Sequence, residues 1–123
     1  MDVVFNNCAD HGFFKELHDR HRVHCPYIFF ECKNYSADVG NPEIDQLTSR
    51  FSEKSGMFGV LACRTNANQA LVQKRCRDIV LKNRGYMLVI DDTDMIAMLR
   101  YRAESNESAI DDHMDNLFRR LVL

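Results

Sequence analysis

The sequence predicts an α/β domain in which helices cover a central mixed β-sheet. Three observations carry that expectation. Short apolar runs without helical period recur at Val3-Val4-Phe5, Tyr27-Ile28-Phe29-Phe30, residues 57–63 and residues 86–90, and read as strands. After residue 26, segments with apolar residues at helical spacing alternate with these runs. Turn-forming pairs punctuate the boundaries, as at Asn6-Asn7, Asn41-Pro42 and Ser55-Gly56. The 123 residues make one domain, 1–123, large enough for a single core.

Taken in order, Val3, Val4 and Phe5 form a first strand that Asn6-Asn7 breaks. Residues 11–22 read as a short helix with Phe13, Phe14 and Leu17 on its apolar side. Histidine is dense here (His11, His18, His21 and His24, flanked by Cys8 and Cys25), which raises a zinc site as one reading. Adjacent His24-Cys25 is poor chelate geometry, however, and no paired Cys-x2-Cys or His-x3-His spacing appears. A solvated helix face that turns positive near a polyanion is therefore expected. The central strand, 27–33, ends in Glu31-Cys32-Lys33. A period of two puts Glu31 and Lys33 on one face and Cys32 on the other, toward the core. A carboxylate and an ammonium at the end of an apolar strand are costly unless they act together; the alternative is a surface ion pair.

Residues 35–40 are small and polar and read as a turn. Asn41-Pro42-Glu43 then supplies an N-cap, a proline at the first helical position and an acid in the first turn. Ile44, Leu47 and Phe51 face the core, Glu43, Gln46 and Arg50 share another face, and Ser55-Gly56 ends the helix. The strand at 57–63 is small and apolar, which predicts cover on both faces. A helix over 66–83 follows, with Leu71, Val72, Cys76, Ile79 and Val80 inward. After Gly85 and the last strand, Asp91-Asp92-Thr93-Asp94 resembles an acid cluster for a metal. It lies just before Met95, Ile96, Met98 and Leu99, so helix capping is the role expected. Glu104-Ser105-Asn106 is a candidate hinge before an amphipathic C-terminal helix at about 106–123, with Ile110, Met114, Leu117, Phe118 and Leu121 on one side.

Apolar residues at 46% and charged residues at 28% are those of an ordinary soluble domain. Neither a membrane-spanning run nor a basic segment followed by an apolar stretch appears, so no membrane partner is expected. Five cysteines, an odd number without regular spacing, fit a reducing compartment and hence a cytoplasmic location. A net charge of -2 gives no overall basic footprint, so a nucleic acid would be held by a local patch. One basic block exists: Arg64, Lys74, Arg75, Arg77, Lys82 and Arg84 against the single acid Asp78. It reads either as a solvated crossover helix or as a track for phosphates.

Asp2, followed by an apolar run ending in Glu31-Cys32-Lys33, resembles the PD-(D/E)xK nucleases of the restriction-endonuclease-like superfamily. The run Phe30-Glu31-Cys32-Lys33-Asn34-Tyr35, the helix start at Asn41-Pro42-Glu43 with Gln46, and the strand Gly59-Val60-Leu61-Ala62-Cys63-Arg64 follow in the order such domains use. The resemblance covers about residues 1–100. It implies a restriction-endonuclease-like three-layer sandwich with a central mixed sheet, and a Mg²⁺-dependent endodeoxyribonuclease, with Mn²⁺ as substitute, of a restriction or phage-defence system. Asp2, Glu31 and Lys33 would be catalytic, and Asp2, Glu31 and the Cys32 carbonyl would ligate the metal. Lys33 would orient or deprotonate the attacking water and offset charge on the phosphate.

By the same resemblance Gln46 and Arg50 would face the substrate; the alternative for both is a solvated helix face. Arg64, Arg75 and Arg77 of the basic block would join them on the DNA. In that family a helix and a first strand precede the Asp-bearing strand. Here a second copy, a larger chain or a partner is expected to cover that flank, and the chain alone to cleave weakly or not at all. The alternative reading is an inactive or truncated remnant of the nuclease fold that binds nucleic acid.

Overall fold

The computed structural model describes residues 2–33, 40–64 and 68–123, with only the backbone at Asp2 and Asn41. The predicted turn over 35–39 and the predicted helix start at 66 lie outside the described residues. Among the described residues nine elements follow one another: β1 (Asp2–Asn6), α1 (Phe13–Asp19), β2 (Tyr27–Lys33), α2 (Asn41–Thr48), β3 (Phe58–Cys63), α3 (Gln69–Leu81), β4 (Tyr86–Ile90), α4 (Asp92–Ala103) and α5 (Glu107–Val122). The sheet is mixed, in the order β1-β2-β3-β4. β1 runs antiparallel to β2, while β2, β3 and β4 are parallel, with α2 and α3 as the connections that parallel strands require. The α/β class and the mixed sheet are as the sequence predicts, and the layering is compatible with a three-layer sandwich.

Consecutive residues of β3 show the two layers. Phe58 packs against Phe13 and Phe14 of α1, and Phe13 in turn meets Phe118 of α5. Gly59, pointing the other way, leaves the space that the Phe51 ring fills: a Cβ there would lie 3.0 Å from Phe51 Cε1. Phe51 also lies against Phe29 of β2, ring centroids 6.0 Å apart. Both faces of β3 are thus covered, as its small apolar sequence predicts, and Phe58, Val60 and Leu61 are buried.

Helix boundaries depart from the predicted ones for local reasons. The N-cap of α2 falls at Gly40 rather than Asn41, with Glu43 Oε2 accepting from the Gly40 N–H at 3.0 Å. The same helix stops at Thr48 instead of running to Ser55. Thr48 Oγ1 donates to the Ile44 carbonyl at 3.0 Å and Ser49 Oγ to the Gln46 carbonyl at 2.7 Å. Ser52 and Gly56 then close a small loop by exchanging backbone hydrogen bonds. On α3, Val72, Cys76 and Ile79 are buried as predicted, but Leu71 is 40% exposed and lies off the inward stripe.

α1 has glycine at its N-cap, so its first turn is capped from outside. The Phe13 N–H donates to Asp111 Oδ1 of α5 at 2.9 Å. Gly12 has φ +82, and a Cβ there would stand 2.7 Å from both Asp111 carboxylate oxygens, so glycine is required twice over. At the other end of α5, the Arg120 carbonyl accepts from Gln73 Nε2 (3.0 Å) and from Arg77 Nε and Nη2 (2.9 and 2.8 Å). Asp91 caps α4: its Oδ1 accepts from the Asp94 N–H at 3.0 Å, and Asp94 Oδ2 accepts from the Asp91 N–H at 3.1 Å. The acid cluster therefore serves as a cap, as expected. Ser105, with φ 57, turns the chain from α4 into α5.

Candidate active site

The antiparallel register of β1 and β2 sets Asp2 directly opposite Glu31. Directly opposite positions of such a pair share one sheet face. Glu31 is 2% exposed, at the polar end of an otherwise apolar strand and beside Leu61 of β3. Lys33, two residues on and on the same face, holds its ammonium 2.9 Å from Glu31 Oε1 and is 19% exposed. Lys33 Nζ also donates to Gln46 Oε1 of α2 at 3.4 Å. Glu31 Oε2 is buried with no hydrogen-bond partner among the described residues. A buried carboxylate oxygen without a donor is an uncommon and costly feature.

The structure thus gathers Glu31, Lys33, Gln46 and the Asp2 position at one place. Cys32 lies on the opposite face and is half-buried, not in the core as expected, because burial falls off along β2 toward Lys33. Arg50 is half-buried beyond the end of α2, and Arg64 is exposed past the end of β3, its carbonyl accepting from the Asp92 N–H at 3.3 Å.

The predicted basic block is not a single stripe. Arg77 spends its guanidinium fork on the end of α5, away from Glu31. Arg84 donates from Nη2 to Thr48 Oγ1 at 3.2 Å and faces Asp45 at 3.5 Å. Arg75 is half-buried on α3. Two of the block's arginines therefore fasten helices in place.

Among the described residues, no group of three or more His, Cys, Asp or Glu comes together to hold a metal ion. The His/Cys-rich segment 8–25 does not converge on a zinc site. Burial raises the pKa of the Cys25 thiol, against a smaller opposing effect of the hydrogen bond from Asn7 Nδ2 at 3.4 Å. Burial alone pushes Cys76 up to about 12. Both stay protonated near neutrality and are poor ligands and nucleophiles.

Two long-range partners escaped the sequence reading: Asp111 as cap of α1, and His113, whose Nε2 lies 2.8 Å from Asp94 Oδ1 and ties α5 to the start of α4. Spacing carries no signal for the first. The hinge at Ser105 folds α4 and α5 into a hairpin and so offered a faint one for the second. No described helix is long and apolar enough to cross a membrane. Compared with protein-family models, curated proteins and solved structures, the chain matches none.

Proposed function

We propose that this chain is a metal-dependent nuclease domain of the PD-(D/E)xK kind, with a restriction-endonuclease-like sandwich, acting on DNA phosphodiester bonds. The buried Glu31 carboxylate carries this reading. One of its oxygens meets the Lys33 ammonium, the other has no described donor, and Asp2 stands opposite in register. An acidic position across an antiparallel pair from Glu-x-Lys, followed by a helix and a parallel strand, supports the same assignment.

The donor set suits a hard divalent cation, since a carboxylate oxygen without a hydrogen bond is the kind of ligand Mg²⁺ takes. Asp2, Glu31 and the Cys32 carbonyl would hold it. When bound, such an ion supplies charge stabilisation at the phosphate and lowers the pKa of water. Lys33 contributes a positive charge that orients the attacking water and offsets charge on the phosphate. Gln46, accepting from Lys33, fixes where that ammonium points.

The test uses supercoiled and linear DNA with Mg²⁺, Mn²⁺, Ca²⁺ or chelator. Cleavage with Mg²⁺ or Mn²⁺ that stops with chelator and is lost in Glu31→Gln and Lys33→Ala supports the reading. A second measurement does not depend on turnover: Mg²⁺ should raise the melting temperature of the wild-type chain but not of Glu31→Gln. DNA binding without cleavage and without a metal-induced shift would support a non-catalytic binding module instead.

A further inference from the structure

We propose that the cavity between α3, α5 and the start of α4 binds a small organic cation, an ammonium group carried on an apolar body of about one ring. Nothing here rests on the nuclease reading: the cavity shares no lining residue with Glu31, Lys33 and Gln46. Its volume is about 170 Å³. The walls are apolar, with Val72 and Cys76 from α3, Leu88 from the edge strand β4, and Leu117 and Leu121 from α5. A cavity of roughly 150 Å³ admits one benzene ring, so there is room for a ring and a short polar arm. The cavity reaches the end of β4, and ligand crevices of open α/β sheets lie outside the carboxyl ends of their strands.

The polar end of the cavity is anionic and rich in acceptors. Asp91 lines it and is 8% exposed. Asp91 Oδ1 accepts from the Asp94 N–H at 3.0 Å, whereas Oδ2 accepts from no described residue. Capping occupies only the first oxygen, and asparagine caps a helix as well as aspartate does, so the cap leaves the second oxygen and its charge unexplained. A carboxylate this buried is costly without a donor. Asp94, also on the lining, is already engaged: Oδ2 takes the Asp91 N–H and Oδ1 lies 2.8 Å from His113 Nε2. Gln73 gives its Nε2 to the Arg120 carbonyl at 3.0 Å, which leaves its Oε1 as a second open acceptor.

These groups select among occupants. An anion would meet the carboxylates of Asp91 and Asp94, and Arg120, the one cationic side chain among the described lining residues, is exposed. A plain hydrocarbon would fit the walls and leave Asp91 Oδ2 unpaired. A primary ammonium brings positive charge and three donors, enough for Asp91 Oδ2 and Gln73 Oε1 with one left for water. An apolar body behind it then covers the walls, the usual division of labour in a small-molecule site.

Benzylamine, benzyl alcohol and benzoate share a ring and differ in charge. Titrating each into the full chain, by calorimetry and two-dimensional amide NMR, tests the assignment. Benzylamine should saturate the chain and move the amide signals of Val72, Cys76, Asp91 and Leu121. It should bind at least about tenfold more tightly than benzyl alcohol, the effect of a hydrogen bond to a charged group. Asp91→Asn keeps a capping oxygen, so it should keep the melting curve and lose that preference. Should Asp91→Asn fail to fold, the three ligands on the wild-type chain decide alone. Absence of saturable benzylamine binding overturns the proposal, as do signal changes confined to other elements. So does equally tight binding of benzyl alcohol or benzoate, or a folded Asp91→Asn chain that still prefers the amine.

Discussion

Replacing Lys33 with Met removes the ammonium 2.9 Å from Glu31 Oε1 while keeping a side chain of similar length. The carboxylate left behind is 2% exposed, and its Oε2 has no described donor even in the wild-type chain. Breaking a buried ion pair from one side costs about 3–5 kcal/mol, because an unpaired charge remains in low dielectric. Lys33 is itself 19% exposed, and water reaching the vacated place softens the loss, so the lower end, about 3 kcal/mol, applies.

For a domain of this size 1 kcal/mol shifts the melting temperature by about 3–6 °C, so Lys33→Met should melt about 9–18 °C lower. The double variant Glu31→Leu/Lys33→Met removes both charges. It should match the wild type or exceed it by about 1–4 kcal/mol, since well-packed apolar groups replace buried pairs without penalty. Thermal and urea unfolding at neutral pH, followed by circular dichroism, give both numbers. If Lys33→Met melts within about 2 °C of the wild type, or if the double variant is no better than the single, Glu31 is not held in a buried pair and the site is misread.

Four further outcomes follow from other contacts. Asp111→Ala should cost about 1 kcal/mol through loss of the cap on α1, with Asp111→Asn recovering most of it; equal stability of all three chains would refute the capping role. Gly59→Ala should cost about 1–3 kcal/mol by overpacking Phe51, and Phe51→Leu in the same chain should reduce that penalty, as chemical denaturation will show. Cys76 has its pKa raised by burial to about 12, so folding favours its protonated form. That stability is complete below the unfolded thiol's pKa and lost as pH rises toward 12, with a slope approaching about 1.4 kcal/mol per pH unit. Cys76→Val should flatten that alkaline loss, and an identical pH profile would contradict it. Arg77→Ala should lower stability by about 1 kcal/mol without changing the salt dependence of any DNA binding, whereas an arginine on a phosphate would reduce the salt slope by about one.

What the sequence disclosed and what it withheld divide along physical lines. The strands were legible because short apolar runs bounded by turn residues have few other interpretations. The period-two placement of Glu31 beside Lys33 followed from strand geometry alone, and their 2.9 Å contact agrees with it. Helix ends were less legible. α2 stops at Thr48 because hydroxyls there turn back onto the helix backbone, a choice that local propensity does not settle. Least legible were the uses of charge. Arg75, Arg77 and Arg84 look alike in a basic run, yet Arg77 bonds the end of α5 and Arg84 faces Asp45 and Thr48. Those partners lie 43, 36 and 39 residues away in sequence, beyond any periodic pattern.

The energetics of Glu31 bear directly on why the site is worth testing. Its strand neighbour Leu61 is fully buried, and a leucine at 31 would add apolar burial of roughly 1.5–3 kcal/mol instead of desolvating a charge. The Lys33 ion pair does not reverse that comparison, because buried pairs are often no better than the apolar residues that could replace them. Stability therefore does not explain a carboxylate here, with one oxygen lacking a described donor and an acidic position across the strand pair. Under the proposed nuclease reading, a bound cation would add to the charge that the Lys33 ammonium already supplies. Stabilisation by added Mg²⁺, lost in Glu31→Gln, would therefore separate the proposed cation site from an ion pair that serves only the fold.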